Sequence, residues 1–141
     1  MALADTYSPH PRTRVLIADD SEAVRTSLSS LIARLPGVEI VGMAHTGAQA
    51  LEMVRSLMPD VVTLDIRMPE MSGLRVLEAI RSDPLKPTVI VLTGLEDVEY
   101  RQRCLQLGAE HFFNKASEFE SVVEILAQRG RAQSDPPPVS G

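Results

Sequence analysis

The sequence predicts an α/β protein built on a five-stranded parallel sheet with helices on both faces, a doubly wound (βα)5 arrangement. Two observations indicate this fold: short, mostly apolar runs of strand length alternate with helix-length amphipathic stretches, and the alternation repeats five times. Continuous apolar runs are typical of strands buried on both faces of a parallel sheet. Right-handed crossovers between such strands place helices on both sides of the sheet. At 141 residues the chain has the length of one domain.

The first two strand–helix units lie in the N-terminal part of the chain. Arg14–Ala18 is an apolar run that predicts the first strand, and Ser21 stands where a helix cap is expected. Apolar residues then recur at helical spacing until Pro36-Gly37, which ends the first helix. Val38–Ala44 predicts the second strand, and Thr46-Gly47 introduces the helix that follows it.

The remaining three units repeat the pattern. Val61–Asp65 predicts the third strand, and a helix carrying spaced apolar residues follows Gly73. Thr88–Thr93 predicts the fourth strand and Val98–Leu107 the fourth helix. His111–Asn114 predicts a short fifth strand at the end of the alternation.

The two ends of the chain are predicted to lie outside the domain. The last helix has Ser117 as its predicted cap and runs to about Arg129, since three consecutive prolines further on cannot continue a helix. We therefore expect a flexible leader over residues 1–12, the domain over 13–129 and a proline-rich flexible tail over 130–141.

Composition excludes several classes of protein. The formal net charge is -5, and the fourteen Lys and Arg residues are scattered, which argues against a nucleic-acid surface. The single cysteine, Cys104, has no partner for an internal disulfide and is expected to be buried. No apolar run approaches the roughly 18 residues of a membrane span, and a signal peptide is not apparent. We therefore expect a cytoplasmic protein that binds neither membrane nor nucleic acid.

Polar residues follow four of the five predicted strands or close them. Because the carboxyl ends of parallel strands meet at one edge of the sheet, these side chains should converge there. Three converging carboxylates repel one another, so the arrangement favours a divalent cation among them, and Mg²⁺ commonly joins carboxylates to a phosphate. One carboxylate can then act as a nucleophile toward that phosphate, while a lysine and a hydroxyl contact its oxygens. The residues concerned are Asp19, Asp20, Asp65, Thr93 and Lys115.

Each of these residues also has an ordinary structural interpretation. Aspartates that follow a strand, as Asp19 and Asp20 do, often only cap the next helix, but Ser21 already offers that cap. An aspartate that closes a buried strand, as Asp65 does, is costly without a partner. Thr93 alone is more often a strand-end residue, and Lys115 alone is more often a surface charge. Only their combination predicts a site.

The stretch from about Arg14 to Arg129 resembles the receiver domain of bacterial response regulators, the CheY-like superfamily of two-component signal transduction. The matching motifs are the Asp19-Asp20 pair, the run Asp65–Gly73, Thr93-Gly94 and Lys115, each at the end of a predicted strand. The resemblance implies a flavodoxin-like strand order 2-1-3-4-5. It also implies a phosphoacceptor signalling switch rather than an enzyme that acts on other substrates.

The resemblance further implies a role for each matching residue. Asp65 is the expected site of phosphorylation. Asp20, Asp65 and the main-chain carbonyl of Arg67 are the expected direct ligands of Mg²⁺, and Asp19 is expected to contribute through a water molecule. Lys115 is expected to contact the phosphoryl group as a charge partner.

The resemblance also implies how the signal is transmitted. Thr93 is the expected switch hydroxyl, and Phe112, which could otherwise be plain core packing, is the aromatic expected to change rotamer with it. The surface of the fourth helix, fifth strand and fifth helix (α4-β5-α5) is expected to change on phosphorylation. A histidine kinase or phosphotransfer protein would supply the phosphoryl group, and a downstream protein effector would recognise the changed surface. No output domain is expected in this chain, and a homodimer formed on phosphorylation is left open.

Two departures and two alternatives qualify this interpretation. Ala116 follows Lys115 where many members of the family have proline, so the fifth loop is expected to differ in shape. Arg67 places a long cation two residues after the expected phosphoacceptor.

Two alternative functions compete with the receiver interpretation. A Mg²⁺-dependent phosphatase or phosphotransferase with an aspartyl nucleophile usually has a second acid two residues after the nucleophile, so Arg67 at that position disfavours this class of enzyme. A receiver that has lost phosphorylation would lack one of the acids or the lysine, and none is missing.

Overall fold

The sheet and its helices are described by a computed structural model of the chain, which covers residues 12–84, 86–94 and 98–134. Within these residues five parallel strands form one sheet in the order β2-β1-β3-β4-β5, which confirms the predicted fold class. The strands are β1 Thr13–Ala18, β2 Val38–Ala44, β3 Val61–Leu64, β4 Thr88–Thr93 and β5 His111–Asn114. The helices are α1 Glu22–Ile32, α2 Gly47–Leu57, α3 Gly73–Arg81, α4 Val98–Gln106 and α5 Phe119–Ser134.

Two apolar clusters, one on each face of the sheet, form the core. Alternate residues of a strand point to opposite faces, so Leu16 joins one cluster and its neighbour Ile17 the other. The first cluster lies under α2, α3 and α4, and the second lies under α1 and α5. Both strand residues are 0% exposed, and burial of each such side chain stabilises the fold by about 1.5–3 kcal/mol. The buried core is therefore mainly aliphatic on both faces.

Side-chain caps begin three of the helices at the carboxyl edge of the sheet. Ser21 Oγ accepts a hydrogen bond from Val24 N at 3.2 Å, which confirms the predicted cap of α1. Thr46 Oγ1 accepts from Gln49 N at 3.0 Å at the start of α2, and Ser72 caps α3 in the same way. Each cap satisfies a backbone N–H that the first turn of a helix leaves unpaired. The caps thereby place these helix starts beside the candidate site.

The last helix differs from its prediction at both ends. It begins at Phe119, directly after Glu118, so the prediction that Ser117 caps it is wrong. Asn114 Oδ1 accepts hydrogen bonds from Ala116 N at 2.8 Å and Ser117 N at 3.3 Å. These bonds hold residues 114–117 in a local turn, so the helix begins only after it. A proline at position 116 has no N–H for such a bond, so the alanine changes how this loop is held.

At its other end, α5 continues past Arg129 to Ser134. Gly130 is buried within it, and an added Cβ there would overlap Pro36 O and lie 2.6 Å from Val38 Cγ2. The close approach of α5 to the turn before β2 explains why a glycine is accommodated inside the helix. The residues before Arg12 and after Ser134 are outside the described part of the chain, so the division into leader, domain and tail stays a prediction.

No helix within the described ranges is long and apolar enough to cross a membrane.

Candidate functional site

The sheet register brings three aspartates together at its carboxyl edge. β1 and β3 are neighbours with Ala18 opposite Leu64, so Asp19 and Asp65, which follow them, lie at the same level. One carboxylate oxygen each from Asp19, Asp20 and Asp65 all lie within 4.8 Å of one another. Asp19 and Asp65 are buried, whereas Asp20 is exposed. The predicted convergence of the three carboxylates is thus present in the structure.

Lys115 joins the end of β5 to this group. Its Nζ lies 2.7 Å from Asp19 Oδ2 and 3.0 Å from Asp65 Oδ2, and its main-chain N donates to Thr93 O at 2.9 Å. The lysine side chain is only 19% exposed, so these ion pairs are partly shielded from water. The ammonium therefore bridges the two buried carboxylates.

Burial and ion pairing act in opposite directions on these groups. Burial raises the pKa of Asp19, and its hydrogen bonds from Lys115 and Ser21 offset only part of that rise. For Lys115, burial by itself lowers the pKa, but hydrogen bonds to Asp19 and Asp65 outweigh it, so the pKa is raised overall. Lys115 is consequently cationic at neutral pH. One cation facing three acids leaves an excess of negative charge if the acids are ionised.

The oxygen atoms of this group have the chemistry that a hard divalent cation needs. Mg²⁺ prefers carboxylate and carbonyl oxygens together with water. Asp20 is the exposed member, and in residues 12–84, 86–94 and 98–134 its carboxylate has no hydrogen bond or ion pair. Arg67 follows in the loop after β3, and its N lies 3.4 Å from Asp65 Oδ1. The acids therefore fit Mg²⁺, and Asp20 offers it an uncommitted ligand.

Thr93 and Phe112 lie on the last two strands of the sheet. Thr93 is 1% exposed at the end of β4, opposite Asn114 on β5. Phe112 is half-buried, faces Val91 in the strand register and packs against the first apolar cluster. Thr93 is thus at the same sheet edge as the acids, and Phe112 lies three residues before Lys115 on the strand that leads to the site.

Two glycines allow the loops around the site to close tightly. Gly73 N donates to Ile66 O at 2.7 Å, and a Cβ on Gly73 would overlap Asp65 O. A Cβ on Gly47, at the start of α2, would overlap Met71 O in the loop after β3. The sequence interpretation noted Gly73 within its motif but missed the requirement at Gly47, because that contact joins segments about twenty residues apart in the chain.

One cation that the sequence interpretation missed also touches the site. Arg25 on α1 donates from Nη1 to the main-chain O of Asp19 at 2.7 Å. The available signal was its spacing, since Arg25 lies one helical turn after the cap Ser21 and so faces back toward the preceding loop.

The strand order and the acidic cluster at the carboxyl edge define a flavodoxin-like α/β domain with a polar site in the position usual for that class. Within this class the chain belongs to the response regulator receiver domain family, whose model matches residues 15–127. It is a receiver domain of a two-component response regulator, a family of signalling switches. Receiver domains typically bind Mg²⁺ at an acidic cluster and interact with histidine kinases and downstream effectors.

Curated relatives are longer than this chain. The chain is 39% identical over 114 residues to "Protein-glutamate methylesterase/protein-glutamine glutaminase 1" of Methanospirillum hungatei, covering 79% of this chain and 33% of that protein. It is 34% identical over 116 residues to "Response regulator GacA" of Pseudomonas aeruginosa, covering 82% of this chain and 54% of that protein. The chain thus spans between a third and about half of these relatives, and the match is to their receiver portion.

Solved structures of isolated receiver domains match over nearly their whole length. The response regulator domain of Thermotoga maritima CheB has a TM-score of 0.75 at 30% identity, covering 90% of this chain and 99% of that one. The signal receiver domain of the putative response regulator NarL from Mycobacterium tuberculosis has a TM-score of 0.78 at 31% identity, covering 86% and 98%. These similarities agree with the sheet order and helix placement described above.

Proposed function

We propose that this receiver domain accepts one phosphoryl group on Asp65, in the presence of Mg²⁺, from a histidine kinase or a phosphotransfer protein. The observation that carries the proposal is the arrangement of three acids within 4.8 Å of one another, with Lys115 Nζ 3.0 Å from the Asp65 carboxylate. A nucleophilic carboxylate, neighbouring metal ligands and a cation for the phosphoryl oxygens are the parts that this transfer needs.

Each residue has a defined part in the transfer. A carboxylate oxygen of Asp65 attacks phosphorus, the bond from phosphorus to the donor's histidine nitrogen breaks, and that nitrogen leaves with the electron pair. Lys115 and Thr93 supply an ammonium and a hydroxyl donor to the transferred phosphoryl oxygens. Asp20, Asp65 and the Arg67 carbonyl are the proposed direct ligands of Mg²⁺. Bound Mg²⁺ supplies neutralising charge for the carboxylates and phosphoryl oxygens.

Asp19 has a supporting part in the same proposal. Its two carboxylate oxygens already accept hydrogen bonds from Ser21 N and Lys115 Nζ, at 2.9 Å and 2.7 Å. A contact with Mg²⁺ through a water molecule leaves those hydrogen bonds in place. This commitment of Asp19 favours Asp20 as the direct ligand from the first strand.

The proposed output is a change in the α4-β5-α5 surface. A phosphoryl group adds charge of about -1.5 to -2 at neutral pH and so biases the domain toward one of two conformations. Thr93 and Phe112 are the proposed coupled elements, since β4 and β5 pair directly and Phe112 is only half-buried. A downstream protein or a further domain, of the kind present in the longer relatives, then recognises this surface. Apart from its own phosphorylation and dephosphorylation, the domain catalyses no reaction in this proposal.

Intact-mass analysis after incubation with Mg²⁺ and acetyl phosphate tests the proposal. We expect one adduct of about 80 Da, a single phosphoryl group, that requires Mg²⁺ and is absent from Asp65→Asn. Asp60→Asn is the matched control, because Asp60 lies at the opposite end of the same strand, where it accepts from Arg14 N. That variant should keep the adduct.

Absence of an adduct in the native chain would contradict the proposal if the chain also fails to bind beryllofluoride with Mg²⁺. Beryllofluoride mimics the phosphoryl group without hydrolysis, so its binding would distinguish rapid loss of phosphate from a receiver that is never phosphorylated.

A further inference from the structure

We propose that Arg25 is a positioning residue of the metal site: it fixes the peptide between Asp19 and Asp20 and so directs the Asp20 carboxylate toward Asp65. The inference rests on the Mg²⁺ site of the proposed function. Arg25 lies on α1 and is partly buried, and its Nη1 is 2.7 Å from Asp19 O. A guanidinium hydrogen bond of this length is charge-assisted and holds its acceptor more firmly than a neutral donor does.

Asp19 is anchored at four atoms by four different parts of the chain. Its N donates to Ala44 O, its main-chain O accepts from Arg25 Nη1, its Oδ1 accepts from Ser21 N and its Oδ2 accepts from Lys115 Nζ. Asp19 is therefore fixed in both its backbone and its side chain.

Asp20 has no such anchors of its own. Within the described ranges its carboxylate makes no hydrogen bond or ion pair, and the side chain is exposed. The direction of its Cα–Cβ bond depends on the orientation of the preceding peptide, because that peptide plane is rigid. The carbonyl of this peptide is the atom that Arg25 holds. The bond from Ser21 N to Asp19 Oδ1 restrains the backbone after Asp20, and Arg25 restrains the carbonyl before it. Loss of Arg25 therefore removes one of the two side-chain contacts that hold the backbone around this metal ligand.

The charge of Arg25 has the opposite effect on a bound cation. A guanidinium close to the acids repels Mg²⁺, so removal of its charge alone tightens Mg²⁺ binding. Removal of its hydrogen bond to Asp19 lets Asp20 move and weakens binding. Outer contacts that orient metal ligands typically change metal affinity by about 10-fold to 100-fold, so we expect orientation to outweigh a partly screened charge.

Isothermal titration of the full chain with Mg²⁺ alone tests the inference. We expect Arg25→Ala to weaken Mg²⁺ affinity by about tenfold. Arg25→Lys keeps the charge but loses the planar donor geometry, so it should also weaken binding. Arg34→Ala is the matched control, because this exposed arginine just beyond the other end of α1 carries the same charge without a contact to the site. Arg34→Ala should change the affinity by less than about twofold.

A second readout separates positioning from a general effect on folding. With acetyl phosphate, Arg25→Ala should raise the Mg²⁺ concentration for half-maximal phosphorylation and leave the rate at saturating Mg²⁺ close to that of the native chain. If Arg25→Ala does not fold, as judged by its thermal unfolding, the Arg25→Lys result decides.

The inference is overturned if Arg25→Ala binds Mg²⁺ as tightly as Arg34→Ala or more tightly. Failure of the proposed function has a different result: the native chain would not bind Mg²⁺, or Asp20→Asn would bind it equally well. In that case both proposals fail, whereas an effect at Asp20 without one at Arg25 overturns the Arg25 inference alone.

Discussion

At the scale of single residues, the site depends on positions where no side chain fits as well as on its charged groups. Gly73 and Gly47 both stand where a Cβ would meet the main chain of the loop after β3. Asp65 begins that loop, and Gly73 N closes it through Ile66 O at 2.7 Å. The tight loop holds Arg67, and with it the proposed carbonyl ligand, next to the acids.

Gly73→Ala should therefore destabilise the protein. In an open helix position alanine stabilises by about 0.5–1 kcal/mol relative to glycine. Here the added Cβ would overlap Asp65 O and lie 2.8 Å from Ile66 Cα. Forced overpacking costs about 1–3 kcal/mol or more, which exceeds the helix-propensity gain of alanine. Gly94→Ala is the control, since no heavy atom lies within 4 Å of a Cβ there among the described neighbours. Urea unfolding measures both, and equal stabilities would contradict the prediction.

At the scale of secondary-structure elements, continuous apolar runs could be predicted closely and the contacts between distant segments could not. The bounds of Val38–Ala44, Thr88–Thr93 and His111–Asn114 are those predicted, and the bounds of β1 and β3 differ by one residue each, because short runs of apolar, β-branched and aromatic residues between turn signals are compact in the sequence. The end of α5 was placed too early, at about Arg129, because the three prolines that follow show only that the helix stops before them. The helix in fact continues to Ser134, and Gly130 packs within it against the turn before β2.

In the site, too, the residues at strand ends could be predicted, whereas a contact from a neighbouring helix could not. The strand ends predicted that Asp19, Asp20, Asp65 and Lys115 converge, since parallel register alone brings them together. The hydrogen bond from Arg25 to the backbone of Asp19 was not predicted, because the helical spacing of Arg25 after Ser21 places it near the preceding loop but does not identify the carbonyl that it contacts.

Arg14 on β1 should be needed to hold the end of α2. Its Nη1 donates to Leu57 O at 2.7 Å and Met58 O at 2.9 Å, two carbonyls that the helix itself leaves unpaired. A cation at a helix C-terminus also interacts favourably with the helix dipole. Arg14→Ala should lower the free energy of unfolding by about 1–2 kcal/mol, and Arg14→Lys by less.

The matched control for this prediction is Arg12→Ala, which removes the same charge from an exposed residue just before β1. Chemical denaturation of the three variants gives the comparison. A loss in Arg12→Ala equal to that in Arg14→Ala would show that net charge, and not the contact with α2, is responsible.

At the scale of the whole molecule, the buried charges of the site change the free energy of unfolding with pH. The pKa of Asp19 is raised mainly by burial, so its contribution to stability is present below its usual pKa of 3.8 and is lost as pH rises through the folded value. Ionised Asp19 therefore opposes folding at neutral pH. The raised pKa of Lys115 means that its contribution is present below 10.5 and is lost as pH rises through its folded value. Lys115 thus favours the folded state at neutral pH, but a single lysine offsets only part of the unfavourable burial of the neighbouring carboxylates.

Mg²⁺ should consequently stabilise the whole fold, because its proposed ligands come from the ends of two different strands and converge only in the folded chain. A ligand that binds only the folded state at about 100 times its Kd stabilises by about 2.7 kcal/mol, and chelation should reverse the effect. Calorimetric unfolding with MgCl2, and with NaCl at equal ionic strength, separates site binding from general screening. The stabilisation should be largely lost in Asp20→Asn, which removes the exposed ligand but leaves Lys115 paired with Asp19 and Asp65. If Mg²⁺ stabilised the native chain and Asp20→Asn equally, the ion would be acting through the net charge of the chain, formally -5, and not on this cluster.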